Sequence, residues 1–254
     1  MSNAVGQAVV ILGATSAVAE HCARLWAERG ARLVLVGRRQ DRLSVIADDL
    51  RARGAPQVDV VVRDLAETPA EGHDAALASM AAPVGGRIDV LLVAYGVLGD
   101  QRTAEADPAA ALALFGANMT SACAWLTVAA ARMEQQGSGA LVAISSVAGD
   151  RGRCSNYVYG AAKAGLSTFM EGLAHRFAAS SVRVLLVKPG FIDSPMTADI
   201  AKSGPLWAKP EAIARDIDRA LAGGRSVLYT PWFWAPIMTI IRHLPRFLFH
   251  RTKL

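Results

Sequence analysis

Short apolar runs of strand length alternate along the chain with longer segments of helical character. Six runs predict β-strands: Ala8–Leu12, Arg32–Val36, Val58–Val62, Val90–Ala94, Ala140–Ser145 and Val182–Val187, and a shorter β-like run follows at Ser226–Tyr229. Several of these runs are continuously apolar, which is typical of strands buried on both faces of a parallel sheet. Helices between successive strands imply right-handed crossovers. The sequence therefore predicts a doubly wound parallel α/β sheet.

The predicted helices occupy the intervals between these strands. They cover Ser16–Glu28, Arg42–Arg53, residues 70–82, Ala109–Gln135, Ser155–Ala179 and Glu211–Ala222. A chain of 254 residues suits one α/β domain, which we assign to residues 1–224. Within it, residues 193–210 are rich in Pro and Gly, so they are predicted to be a substrate lid, with an ordinary loop as the alternative.

The net charge of +5 is concentrated in the carboxyl-terminal extension, residues 225–254. The extension holds five basic residues and no acid, whereas the other 22 Lys and Arg equal the 22 Asp and Glu. A DNA-binding protein more often distributes basic residues over a groove-facing surface, so we expect no nucleic-acid partner. The cations of the extension are interleaved with Trp, Phe and Ile. This pattern favours peripheral contact with a membrane, with an oligomer interface or core packing as the alternative.

The cysteine and histidine residues give no sign of a disulfide or a metal site. Cys22, Cys123 and Cys154 are widely spaced and odd in number, and the histidines lie far apart without acidic neighbours at ligand spacing. The first apolar run is too short for a leader or a spanning helix. We therefore expect a cytoplasmic protein, with any membrane contact at the inner face.

The turn after the first predicted strand has the position of a pyrophosphate site. It contains Gly13, Thr15, Ser16, Ala17 and Val18. Free backbone N–H groups at the start of the following helix bind phosphate in Rossmann-type folds. Ala17 and Ala19 stand where two further glycines are usual, and a turn that serves only packing is the alternative.

The end of the second predicted strand carries two arginines, Arg38 and Arg39, instead of the acid that an NAD site places there. Two guanidinium groups are suited to a 2′-phosphate, so we predict NADP(H) in preference to NAD(H). A solvated arginine pair at a helix start is the alternative. Asp64 and Leu65 follow the third strand and are predicted to contact the adenine, or to cap a loop.

Tyr159 and Lys163 are four residues apart on a predicted helix, so they share one face. The charge of Lys163 is expected to lower the pKa of the Tyr159 phenol. The preceding strand ends in Ser145 and Ser146, and the next is followed by Lys188-Pro189-Gly190. In this order the segments resemble the short-chain dehydrogenase/reductase family over residues 8–195.

The resemblance implies a role for each matching catalytic residue. Tyr159 is the expected general acid for carbonyl reduction, and Lys163 is expected to hold the nicotinamide ribose. Ser146 is expected to orient the carbonyl oxygen, with Ser145 as the second choice. Asn118 is expected to hold a water molecule that links Lys163 to solvent.

The resemblance also assigns residues around the cofactor and the substrate. The expected cofactor contacts are Ala94, Tyr95, Gly96, Pro189, Gly190, Ile192 and Ser194. Val93-Ala94-Tyr95-Gly96 stands after the fourth strand, where family members usually carry Asn-Asn-Ala-Gly. Tyr157 is predicted to line the substrate pocket or to pack nearby. Family members form homo-dimers or homo-tetramers, and we expect the same here.

Three segments resemble one subgroup of the family, the reductase component of decaprenylphosphoryl-ribose 2′-epimerase. They are Tyr95–Asp100, Arg151–Gly160 and Ile241–Arg246. That subgroup reduces a polyprenylphosphoryl 2-keto-pentose, made by a flavoprotein oxidase, to the arabinose epimer. We predict this reaction, with reduction of another hydrophobic carbonyl, such as a keto-lipid, as the alternative. A non-catalytic protein that senses dinucleotides is the alternative from another class. Such a protein does not need the four residues Asn118, Ser146, Tyr159 and Lys163.

Overall fold

The computed structural model describes residues 6–198, 202 and 204–252. Its strands are β1 (Ala8–Leu12), β2 (Arg32–Gly37), β3 (Gln57–Val62), β4 (Val90–Val93), β5 (Gly139–Ile144), β6 (Val182–Pro189), β7 (Phe191–Ile192), β8 (Trp207–Ala208) and β9 (Val227–Thr230). One parallel sheet has the order β3-β2-β1-β4-β5-β6-β9, and β7 pairs with β8 in parallel. The predicted doubly wound parallel sheet is confirmed.

Helices cover both faces of this sheet. They are α1 (Ala17–Ala27), α2 (Gln40–Ala52), α3 (His73–Ala81), α4 (Gln101–Ala106), α5 (Pro108–Phe115), α6 (Ser121–Gln136), α7 (Tyr157–Arg176), α8 (Pro210–Ala222), α9 (Trp234–His243) and α10 (Arg246–Phe249). The long helix predicted over Ala109–Gln135 is interrupted by a π-helical turn, Gly116–Thr120. Helices α4, α9 and α10 were not predicted.

Two apolar cores lie on opposite faces of the sheet. Val9 and Ile11 of β1 join the core beneath α1, α2 and α8, whereas Ala8, Val10 and Leu12 join the core beneath α3, α6 and α7. All five side chains are fully buried. This explains the continuous apolar runs, because each strand of the sheet interior must present apolar residues to both cores.

One helical run among the described residues, Pro108–Gln136, is long and apolar enough to cross a membrane by length and composition. Its Trp125, Leu126 and Ala129 are fully buried in the core against the sheet. The core helix of a soluble protein has the same length and composition, so this run is weak evidence for a membrane span.

The carboxyl-terminal extension begins inside the sheet, because β9 pairs with β6 along Leu186–Pro189. Helix α9 then packs Trp234 and Met238, both buried, against Val147. Val147 directly follows the predicted catalytic Ser146. The extension therefore supports the loop that carries a predicted catalytic residue.

Arg151 joins that same loop to the end of α9. Its guanidinium donates hydrogen bonds to the carbonyl oxygens of Ile241 and Leu244, the latter at 2.7 Å. It also lies 3.8 Å from the ring centroid of Phe249 in α10. These contacts satisfy carbonyl groups at a helix end, which otherwise lack intrahelical partners.

Candidate active site

A cavity of about 420 Å³ opens at the carboxyl ends of the central strands, where the order of strands reverses beside β1. Ligands bind at this place in doubly wound sheets. The cavity wall contains all the predicted cofactor residues except Arg39: Gly13, Thr15, Ser16, Ala17, Val18, Arg38, Asp64, Leu65, Ala94, Tyr95, Gly96, Asn118, Tyr159, Lys163, Pro189, Gly190, Ile192 and Ser194. The fold thus gathers residues from across the chain into one wall.

Gly13 and the start of α1 form the phosphate end of this cavity. Gly13 has a φ of +88°, and a Cβ there would lie 2.6 Å from the backbone nitrogen of Tyr95. Only glycine fits such a close approach. Helix α1 begins at Ala17 without a side-chain cap, so its first N–H groups are available to an anion. These features fit the pyrophosphate of a dinucleotide.

The two arginines after β2 occupy different positions. Arg38 lines the cavity and lies 3.6 Å from Asp64, whereas Arg39 precedes α2 and pairs with Asp41 at 3.8 Å. Arg39 is absent from the cavity wall, and its predicted contact with the cofactor stays a prediction. Arg63, which the sequence analysis did not single out, also lines the cavity. It follows β3, next to β2 in the sheet.

Ser146 and Tyr159 meet on the cavity wall. The Tyr159 hydroxyl is hydrogen-bonded to Ser146, and both residues line the cavity. The Ser146 oxygen also accepts a hydrogen bond from the backbone N–H of Ala148 at 3.1 Å, at the start of a short 3₁₀ turn. The turn therefore holds the serine hydroxyl beside the phenol.

Lys163 lies one helical turn after Tyr159 but does not bind its hydroxyl. Its Nζ donates to the carbonyl oxygen of Ile144 at 3.0 Å and lies 5.8 Å from the Tyr159 ring centroid. Burial raises the pKa of Tyr159 to about 12, which the bond to Ser146 opposes, and burial lowers the pKa of Lys163 to about 8. Burial dominates the shift of the Tyr159 pKa, and the lowering expected from Lys163 stays a prediction.

Asn118 lies in the π-helical turn and is 1% exposed. Its Nδ2 donates to the carbonyl oxygens of Val97 (2.9 Å) and Leu114 (3.0 Å), and its Oδ1 accepts from Val97 N–H at 3.0 Å. The side chain therefore fastens the segment after β4 to the π-helical turn. Its predicted link to water stays a prediction.

Ser145 and Tyr157 have surroundings different from those of Ser146 and Tyr159. The buried Ser145 hydroxyl is hydrogen-bonded to the Lys163 carbonyl and to Ser167 of α7, at 2.9 and 2.8 Å. Tyr157 is 45% exposed and is not part of the cavity wall, so the prediction that it contacts substrate is not supported. Two residues before Tyr159, it lies on another side of α7.

The far wall is built by the segment after β6. Ser194 and the 3₁₀ turn Pro195–Thr197 line the cavity. Residues 199–201 and 203 lie outside the described residues, and the lid stays a prediction. Gly190 contacts Trp234 so closely that a Cβ would fall 1.9 Å from the indole ring. Helix α9 therefore backs the wall at Gly190.

The fold and this arrangement define a dinucleotide-dependent oxidoreductase. Residues 7–204 match the family described as short chain dehydrogenase. The chain belongs to the short-chain dehydrogenase/reductase family and is an NAD(P)H-dependent oxidoreductase acting on hydroxyl and carbonyl groups.

Relatives agree with this membership, and a solved structure shares the fold. An uncharacterized oxidoreductase of Mycobacterium tuberculosis is 40% identical over 96% of both chains, and one of Streptomyces coelicolor is 35% identical over 96% of this chain and 95% of that one. The structure of a short-chain dehydrogenase from Sphingobium yanoikuyae in complex with NADPH has a TM-score of 0.80 at 23% identity. It covers 94% of this chain and 97% of that chain.

Proposed function

We propose that this protein uses NADPH to reduce the 2-keto group of a polyprenylphosphoryl pentose and produces the arabinose epimer. The proposal rests on the spatial proximity of the three segments that resemble the lipid-sugar reductases. Val97 and Leu98 of the first segment line the cavity beside Arg153 and Tyr159 of the second. Arg151 of the second segment binds the carbonyl oxygen of Ile241 in the third.

The substrate end of the cavity has apolar walls that suit the first part of a prenyl chain. They are contributed by Val97, Leu98, Val147, Phe191 and Met196. Apolar walls with a few convergent polar groups are typical of small-molecule sites. A substrate with an isoprenoid tail and a polar sugar matches both parts of this wall.

The catalytic residues would act on the ketone as follows. Ser146 and Tyr159 donate hydrogen bonds to the carbonyl oxygen, and the Tyr159 proton passes to that oxygen as negative charge develops. A bound nicotinamide cofactor supplies the hydride to the carbonyl carbon. The ammonium of Lys163 would hold the ribose hydroxyls next to the nicotinamide, and Asn118 positions the segment after β4. The product is a secondary alcohol.

A coupled assay tests the proposal. Purified protein is incubated with polyprenylphosphoryl ribose, a flavoprotein oxidase that forms its 2-keto derivative, and NADPH. We expect loss of NADPH absorbance that requires the oxidase, with the arabinose epimer as product. Absence of turnover in a protein that binds NADPH would reject the sugar substrate and favour the alternative, reduction of another hydrophobic ketone on the same apolar wall.

The preference for NADPH rests on Arg38. Its side chain lines the cavity beside Asp64 and is 70% exposed, so it is free to turn toward a 2′-phosphate. Arg63 lies on the same wall and adds a second positive charge. Guanidinium groups bind phosphate through paired, charge-assisted hydrogen bonds.

Arg38→Leu is expected to weaken NADPH binding by about 10–100-fold, the range for a lost hydrogen bond to a charged group, while NADH binding changes little. Titration of each nucleotide by fluorescence measures both affinities. Arg39→Leu is the matched control, because Arg39 lies outside the cavity wall. An equal loss for both nucleotides in Arg38→Leu would contradict the assignment.

We also propose that α9 and α10 rest on an anionic membrane surface, where a lipid-linked substrate resides. Ile240, Phe247 and Leu248 are exposed apolar side chains of these helices, and the exposed Trp232 precedes α9. The exposed cations Arg242, Arg246 and Arg251 lie in the same stretch of the chain. No acidic residue occurs between residues 225 and 254. Apolar side chains flanked by cations suit the interface of a membrane that contains anionic lipids.

The double variant Ile240→Ser/Phe247→Ser is expected to lower partitioning onto vesicles that contain phosphatidylglycerol by roughly tenfold or more, because two apolar side chains no longer enter the interface. Co-sedimentation measures the partitioning, and NADPH binding is expected to stay unchanged. Val45→Ser, an exposed apolar residue on α2, is the control. Co-sedimentation of the double variant at the wild-type level would reject the proposed surface.

A further inference from the structure

Arg153 is a cation on the cavity wall whose side chain makes no hydrogen bond or salt bridge among the described residues. It lies on the segment between Ser146 and Tyr159 and lines the same cavity. Its Nε is buried and makes no hydrogen bond. Burial lowers the pKa of Arg153, and only the charge of Asp150 opposes this shift. A buried N–H group without an acceptor is costly, so this nitrogen of the half-buried Arg153 needs an explanation.

Asp150 does not supply the missing counter-ion. Its Oδ1 accepts a hydrogen bond from Lys188 Nζ at 2.9 Å, and its Oδ2 accepts one from the Tyr229 hydroxyl at 2.6 Å. Both carboxylate oxygens of Asp150 therefore already accept hydrogen bonds from residues of β6 and β9. A ligand in the cavity that Arg153 lines is therefore suited to supply the acceptor that Nε lacks.

The neighbouring Arg151 gives an internal comparison. It is two residues away, but its Nη1 donates to carbonyl oxygens at the end of α9 and its guanidinium lies over the ring of Phe249. Arg151 therefore has a structural role that Arg153 lacks. The difference between the two arginines is that Arg153 faces the cavity.

Asn156 adds a second unpartnered polar group to the same wall. Its Oδ1 is buried without a hydrogen-bond donor, and the residue lines the cavity with Arg153. A hydroxyl group of a ligand would satisfy this oxygen, and an anionic group would satisfy the guanidinium. A substrate that carries both groups close to its ketone is a sugar with a phosphate ester.

We infer that Arg153 binds the phosphate of the substrate while the Asn156 side chain accepts a hydrogen bond from a sugar hydroxyl. This inference rests on the proposed function and narrows it, because it makes the phosphate itself a recognition element at the reacting end of the cavity. The apolar wall then receives the isoprenoid chain beyond the phosphate.

The experiment compares farnesyl phosphate with farnesol, two ligands with the same isoprenoid chain that differ in the anionic group. Calorimetry is done on protein saturated with NADP⁺, below the concentration at which farnesyl phosphate forms micelles. We expect wild-type protein to bind farnesyl phosphate at least about tenfold more tightly than farnesol, the minimum for a charge-assisted hydrogen bond. Equal affinities for the two ligands would overturn the inference.

Arg153→Met is expected to remove this difference by weakening farnesyl phosphate binding alone, and Arg153→Lys is expected to restore part of it. NADPH affinity should remain at the wild-type value, which separates the substrate phosphate from the cofactor phosphates. Arg225→Met removes an exposed cation elsewhere and is the control. If Arg153→Met does not fold, Arg153→Gln replaces it. Unchanged farnesyl phosphate affinity in a folded Arg153 variant would overturn the inference.

The outcomes also separate this inference from the proposed function. Arg153-dependent binding of farnesyl phosphate without turnover of the keto-pentose would keep the phosphate site and reject the sugar. Turnover of the keto-pentose with farnesyl phosphate affinity that is independent of Arg153 would keep the function and reject the site.

Discussion

Replacement of Tyr159 by Phe is expected to lower kcat for carbonyl reduction by about 10²–10⁴-fold, the usual contribution of a general acid. The phenol is hydrogen-bonded to Ser146 on the cavity wall, and burial raises the pKa of Tyr159 to about 12. The hydroxyl is therefore protonated at neutral pH and ready to donate. Phe keeps the ring that packs in the wall, so the effect should fall on chemistry and not on folding. Single-turnover oxidation of NADPH measures it.

Tyr157→Phe is the matched control for this substitution. It removes a phenol from the same helix at a position outside the cavity wall, so kcat should stay at the wild-type value. NADPH affinity should be unchanged in both variants. Near-normal turnover by Tyr159→Phe would falsify the assignment of Tyr159 as the acid.

The sheet was predictable because its interior strands leave a strong pattern in the chain. Both faces of β1 and β2 are covered by helices, so the strands are continuously apolar. The π-helical turn at Gly116–Thr120 was not predictable in this way. It is held by Asn118, which binds the backbone of Val97, and such a contact between distant residues leaves no periodic signal.

The site shows the same division between local and long-range features. Gly13 at the first turn and the Tyr159–Lys163 spacing are local patterns, and both residues of that pair line the cavity. The partner of Lys163 Nζ is the Ile144 carbonyl oxygen, nineteen residues earlier. The contact between Trp234 and Gly190 depends on the path of the segment after β9, and sequence periodicity did not define that path. Composition predicted its aromatic and basic character but not its position behind the catalytic loop.

The buried ion pair between Lys188 and Asp150 carries the largest expected effect on stability. The two side chains are only 6% and 1% exposed, and Nζ and Oδ1 are 2.9 Å apart. Lys188→Met leaves the Asp150 carboxylate buried without its cation, which is expected to lower the free energy of unfolding by about 3–5 kcal/mol. Urea denaturation followed by tryptophan fluorescence measures this change.

The ion pair between Lys188 and Asp150 should contribute its full stabilisation at neutral pH. Burial alone would lower the pKa of Lys188, but the hydrogen bond and charge of Asp150 reverse this and raise it. A lysine whose folded-state pKa is raised stabilises the fold below its unfolded pKa, and this contribution is lost only as the pH rises through the folded value. The destabilisation by Lys188→Met should therefore be the same at pH 6 and pH 8.

The double variant Asp150→Asn/Lys188→Met separates the charge pair from simple packing. Removal of both charges leaves no uncompensated ion, so the double variant should be more stable than Lys188→Met alone. A double variant as unstable as Lys188→Met would show that packing of the lysine stem dominates. Asp150 lies four residues after Ser146 and also accepts from Tyr229 of β9. Loss of its cation should therefore loosen the catalytic loop and the edge strand together, and NADPH turnover should decline at temperatures where the sheet is still folded.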